Sequence, residues 1–90
     1  MEDKMKFNTM DQVAEELKKQ IDCYWKLDIS EESLISEISN IFSNTENRGL
    51  VMRGPKFKAG FERKLGKKRI EELKRVLIKI NRELYLALVE

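Results

Sequence analysis

Apolar residues recur every three or four positions through most of this chain, and that period selects amphipathic helices packed on one another. The first run opens at Thr9, a helix N-cap with Gln12 three residues on to complete a capping box. Met10, Val13, Ala14, Leu17, Ile21 and Tyr24 then form one stripe, which predicts a helix to about Trp25. Glu15, Glu16, Lys18 and Lys19 lie mostly off that stripe. After the short link Lys26-Leu27-Asp28-Ile29, Ser30 is a second N-cap. Glu31 and Glu32 follow it and set negative charge where the helix dipole is positive. Leu34, Ile35, Ile38, Ile41 and Phe42 give this second helix an apolar face to about Ser43. So short a link predicts that the two helices pack as an antiparallel hairpin.

The run Ser43-Asn44-Thr45-Glu46-Asn47-Arg48-Gly49 is turn-rich and has no period, so residues 43–54 are expected to be a loop. Leu50-Val51-Met52 is either briefly extended or plugs the core. Pro55 suits the first position of a third helix over 55–65, with Phe57, Phe61 and Leu65 on one face. Gly60 weakens that helix by about 1 kcal/mol against alanine. Gly66 ends it, and a fourth helix is predicted from Lys67 towards the C-terminus. Its Ile70, Leu73, Leu77, Ile80, Leu84 and Ala87 alternate spacings of three and four, an a/d heptad seam.

The expected fold is therefore an all-α, four-helix single domain over residues 1–90. It has a flexible arm at 1–8, a helical hairpin, a loop, a short helix and a long last helix. A chain of 90 residues buries only roughly 60–65% of its unfolded surface, so the core is thin. Tyr85-Leu86-Ala87-Leu88-Val89 is apolar on nearly every side. Self-association through Leu77, Leu84 and Leu88 into a homodimer is expected. The alternative is that the first two helices wrap the tail.

Histidine is absent and cysteine occurs once. The commonest general base and the commonest metal ligand are thereby missing together. Cys23 sits on an apolar-rich helix, where a buried, inert thiol is expected. Two acidic clusters, Asp11/Glu15/Glu16 and Asp28/Glu31/Glu32, have no phosphate loop or second carboxylate pair at metal spacing nearby. Helix capping accounts for the second. No catalytic residue, metal or cofactor is expected, and the chain is read as a binding protein and not an enzyme. The N-terminus has no signal-peptide pattern, and no apolar run nears the roughly 18 residues of a membrane span. The expected setting is cytoplasmic, with no membrane partner. Tyr24 and Trp25 are adjacent on a helix and point about 100° apart, so at most one faces the core squarely. Trp25 either closes the core, the commoner role, or anchors an interface.

Charge is unevenly spread. Residues 1–47 carry 5 basic and 11 acidic side chains, and residues 48–90 carry 13 and 5. Either the two halves attract each other in the fold, or the basic half meets an external polyanion. At helical spacing Lys56, Arg63 and Lys67 fall together opposite the Phe57/Phe61/Leu65 stripe. On the last helix Lys68, Arg75, Lys79 and Arg82 line up opposite the seam. Lys67, Lys68 and Arg69 open a helix, where the dipole disfavours cations, unless they instead close the one before. The candidate binding residues are Arg53, Lys56, Arg63, Lys67, Lys68, Arg69 and Arg75. The partner is either nucleic acid, held by its phosphate backbone, or an acidic host protein. The basic run lacks the Asn, Gln, Ser and Thr side chains that usually read bases.

The run Asp22-Cys23-Tyr24-Trp25, then Ile29-Ser30-Glu31-Glu32-Ser33-Leu34-Ile35, and later Phe61-Glu62-Arg63-Lys64-Leu65-Gly66-Lys67-Lys68-Arg69-Ile70, resembles a family of small uncharacterised helical proteins from Firmicutes and their prophages. The resemblance covers about residues 12–80 and leaves the tail after Arg82 outside. It implies a bacterial or phage cytoplasm and an accessory protein that binds host machinery, such as an inhibitor, adaptor or regulator. It carries no activity and no functional residue to this chain.

Overall fold

The computed structural model describes residues 6–89, and its first two helices begin at the expected caps. Helix α1 is Met10–Trp25. The Thr9 hydroxyl accepts from the Gln12 N–H at 3.2 Å. Gln12 reaches back one residue further than a capping box requires and accepts from the Asn8 N–H at 2.8 Å. Helix α2 is Glu31–Phe42, opened by the Ser30 hydroxyl accepting from the Ser33 N–H at 3.1 Å. The stripes lie where the period puts them: Val13, Ala14, Leu17 and Ile21 from α1 meet Leu34, Ile38, Ile41 and Phe42 from α2 in one core. Each large side chain buried there contributes roughly 1.5–3 kcal/mol.

The expected loop contains a helix. Helix α3 is Thr45–Val51, capped by Asn44, whose side-chain oxygen accepts from the N–H groups of Glu46 and Asn47. Its polar sequence gives no amphipathic period; tertiary bonds hold it instead. Asn47 is buried, donates to the Ile41 carbonyl at 2.9 Å and accepts from the Phe7 N–H at 3.0 Å. One amide thus ties together the chain before α1, the end of α2 and α3. Lys6 pairs with Glu46 at 3.4 Å. The described part of the expected flexible arm is therefore anchored, and residues 1–5 lie outside the described residues. Val51 plugs the core, whereas Met52 is extended.

The expected third helix starts four residues late. Strands β1 (Met52–Arg53) and β2 (Lys56–Phe57) form an antiparallel hairpin pairing Met52 with Phe57 and Arg53 with Lys56. Gly54, at φ +62°, and Pro55 are its two-residue turn. Glycine supplies the positive φ that such a turn needs at its first central position, so Pro55 closes a turn and opens no helix. Helix α4 is then Ala59–Leu65, and the Phe57 and Phe61 rings lie 5.2 Å apart.

Gly66 at φ +90° separates α4 from helix α5, Lys67–Ile80. The long last helix is broken at Asn81, which is extended at φ −155° and caps helix α6, Arg82–Tyr85, by accepting from the Leu84 N–H. A 3-10 turn, Leu86–Leu88, follows. The heptad seam therefore holds through α5, with Ile70, Leu73 and Leu77 buried beside Val76 and Ile80 packed partly buried against the core, and Leu84 and Ala87 fall outside that helix. The tail folds back: Tyr85 meets Phe42 edge-to-face at 6.2 Å, and Leu88 is buried. Leu77 and Leu88, expected at a self-association face, lie instead in the core of the single chain. Leu84 keeps 50% of its surface in water and Val89 54%. Trp25 also departs from expectation: it is 42% exposed at the end of α1, its indole N–H donating to Glu72 at 3.2 Å. Cys23 is half-buried. Among the described residues no helix is long and apolar enough to cross a membrane.

Candidate functional site

The acidic and basic halves do attract each other, and this divides the seven candidate cations into three groups. Arg69 and Arg75 are internal. Arg69 points from α5 to the end of α1 and makes a two-pronged pair with Asp22, Nε to Oδ1 at 2.9 Å and Nη2 to Oδ2 at 3.0 Å. A third donor reaches the Leu65 carbonyl at 3.0 Å. That fork holds the Asp22 carboxyl below its ordinary value. Arg75 bonds Glu72 on its own helix and Glu31 at the start of α2, and Lys79 also reaches Glu31. The hydrogen bonds from Lys79 and Arg75 keep the Glu31 carboxyl below its usual range. Lys64 pairs with Asp11 at 2.7 Å.

Arg53 and Lys56 are the facing pair of the hairpin. Both are exposed, and Lys56 donates to the Ala87 carbonyl at 2.9 Å, fastening the tail to the hairpin. Lys56 is therefore not on a helical stripe with Arg63 and Lys67.

Arg63, Lys67 and Lys68 form the third group. Arg63 and Lys67 line a cavity of about 410 Å³ between α4 and α5, with Lys74 further along, and with Glu62 and Glu71 on the same walls. Lys68 is the next residue of the exposed first turn of α5. None of Arg63, Lys67 and Lys68 has a carboxylate partner among the described residues. The alternative that the Lys67-Lys68-Arg69 run closes the preceding helix is overturned, because α4 ends at Leu65 and the run opens α5. Gly66 has no side chain with which to cap that start. The N–H groups of Lys67, Lys68 and Arg69 are left without a partner among the described residues. Cations here oppose the helix dipole by about 0.3–1 kcal/mol each. Arg69 recovers that through Asp22; Lys67 and Lys68 have no such compensation among the described residues. What this corner can do chemically is hold an oxyanion between side-chain cations and backbone donors.

Sequence reasoning missed Lys74, whose seven-residue spacing from Lys67 puts it on the same helix face, and which pairs loosely with Glu71 at 4.0 Å. It also missed Arg48, an isolated cation in the polar run that became α3. Among the described residues no three of His, Cys, Asp and Glu are grouped to hold a metal ion.

A family model described as a conserved hypothetical protein matches residues 4–78. The chain belongs to that family. The match takes in α1 to α4 and nearly all of α5, hence Arg63, Lys67, Lys68 and Lys74, and stops before Asn81 and α6. No curated protein and no solved structure matches the chain.

Proposed function

We propose that this protein is a non-enzymatic binding protein that associates with nucleic acid through the α4–α5 corner, contacting phosphates rather than bases. The observation that carries the reading is that Arg63, Lys67 and Lys68 are exposed cations without carboxylate partners among the described residues, around a helix start that no side chain caps. Two of them line one groove. Elsewhere on the same helix, Arg69 and Arg75 are matched to acids. Unmatched charge at a helix end that disfavours it has a use when a polyanion supplies the counter-charge. The setting that goes with this reading is a bacterial or prophage cytoplasm.

The test is a fluorescent duplex oligonucleotide titrated at low salt. The wild-type chain binds, and the triple variant Arg63→Glu, Lys67→Glu, Lys68→Glu does not, while both melt at nearly the same temperature. Absence of wild-type binding at roughly 50 mM salt removes the reading.

A second reading, a module that binds a host protein, is favoured by one observation. Trp25 and Leu27, two residues apart at the α1–α2 link, have 42% and 88% of their surfaces exposed. Leu27 takes φ +67°, a strained conformation for a branched side chain. Substituting Trp25 and Leu27 by Ser removes binding under this second reading and leaves duplex affinity unchanged under the first. The apolar surface left for a homodimer is that of Leu84 and Val89, and sedimentation of the wild type against Leu84→Ser measures it.

A further inference from the structure

A second cavity, of about 390 Å³, shares no residue with the α4–α5 groove. It opens between α3, the hairpin turn and α6, and its walls are mainly Met52, Pro55, Leu84 and Tyr85. Arg48 lies in it and is half-buried. Its Nη1 donates to the Phe42 carbonyl at 2.7 Å and its Nη2 to the Thr45 hydroxyl at 3.2 Å. The first of those bonds closes the end of α2, the second stays within α3, and together they use two of the five N–H groups of a guanidinium. Among the described residues Arg48 has no carboxylate partner, unlike Arg69 and Arg75. The Tyr85 hydroxyl lies beside it; burial raises that phenol above its ordinary value, and Arg48 pulls in the opposite direction. Space for a ligand is visible at Gly49, where an added Cβ meets nothing within 4 Å. A pocket of this size holds a small ligand, and one charged group in mainly apolar walls fixes its orientation.

We propose that this cleft binds an apolar carboxylate, the Arg48 guanidinium receiving the carboxylate and Met52, Pro55 and Leu84 receiving the apolar group. A guanidinium held by neutral acceptors, with spare donors and no counter-charge among the described residues, is set to take a carboxylate in a charge-assisted fork. The apolar half of the ligand covers Leu84, the tail side chain that the fold leaves half in water. This inference is independent of the nucleic-acid reading, because it uses no residue of the α4–α5 corner.

The experiment is an amide NMR titration of the full chain with N-acetyl-L-leucine and with its neutral counterpart, N-acetyl-L-leucinamide. Saturable shifts are expected at Arg48, Gly49 and Leu84. The amide should bind about tenfold more weakly or worse, since it loses a charged hydrogen bond. A third probe, 4-methylpentanoate, separates the sources of this chemistry. Equal affinity identifies a free small acid, and weaker affinity identifies a peptide C-terminus. Gly49→Leu fills the cavity and improves the propensity of α3, so its melting temperature holds or rises while binding is lost. Arg48→Lys keeps the charge without the fork and weakens binding. No saturable shift up to about 10 mM acid overturns the proposal. So does an amide that binds as tightly as the acid, or a folded Gly49→Leu protein that still binds.

Discussion

Helix α5 carries two populations of cations that the sequence presents as one. On the side towards α1 and α2, Arg69 meets Asp22 of α1, Arg75 and Lys79 meet Glu31 of α2, and Arg75 also bonds Glu72 on its own helix, so that together they fasten α5 to the other two helices. At the start of the same helix, Lys67 and Lys68, with Arg63 from α4, meet no acid among the described residues. Residue type and local density are the same in both places. The difference is whether a carboxylate from the acidic half of the chain lies opposite. A charge run is thus partly structural cement and partly open surface, and only the open part is available to a partner.

The largest effect that separates the two populations is on stability. Arg69→Glu sets a carboxylate against Asp22 where about a third of each side chain meets water. It should cost about 1–2 kcal/mol or more after allowance for screening, several degrees of melting temperature in a domain this small. Lys68→Glu at an exposed first-turn site should leave melting unchanged or raise it slightly, because an acid there suits the dipole. Equal losses in the two variants would break the distinction.

Acid titration gives a smaller effect and a sign. The Asp22 and Glu31 carboxyls are held below their ordinary values of 3.8 and 4.5 by the bonds from Arg69, and from Lys79 and Arg75. Depressed carboxyl values contribute stability that is fully present above the unfolded values. That stability is lost as pH falls through the lower folded ones. Melting temperature should therefore hold down to about pH 5 and decline below pH 4. In Arg69→Met the decline should be shallower, since Asp22 no longer carries its share. A variant that follows the wild-type curve would show that the fork adds nothing.

The smallest effect belongs to Lys79→Ala. Its pair with Glu31 is half-exposed, and Arg75 still bonds that carboxylate. Its melting temperature should stay within roughly two degrees of wild type, as exposed pairs contribute little. Thermal melts of the two proteins side by side check this.

The parts of the fold that the sequence made legible are those set locally. Thr9 and Ser30 announce their helices because a cap is a bond between residues three apart, and the stripes of α1 and α2 are buried as the period requires. What stayed hidden was fixed at a distance. Helix α3 depends on Asn47 reaching Phe7 and Ile41, and no local pattern encodes those bonds. Asn81 breaks a seam whose spacing runs through it unaltered; its capping of Leu84 was the available signal. Pro55 fits a helix entry and the second place of a Gly-led two-residue turn equally well, and the pairing of Arg53 with Lys56 across it decides for the turn. For the candidate site, the residues Arg63, Lys67 and Lys68 were in plain view. Which of the seven cations already had partners depended on where Asp22 and Glu31 fell after folding. Arg48 had no signal, since its interest comes from the cavity around it.

The salt dependence of duplex affinity, measured for the wild type and for Arg63→Ala, Lys67→Ala, Lys68→Ala, tests the central claim most directly. Each phosphate contact contributes a slope of about −0.9 in log affinity against log salt. The account predicts that the triple variant loses about 2.7 from the slope with its melting temperature kept. A wild-type slope that survives the triple substitution unchanged would contradict it.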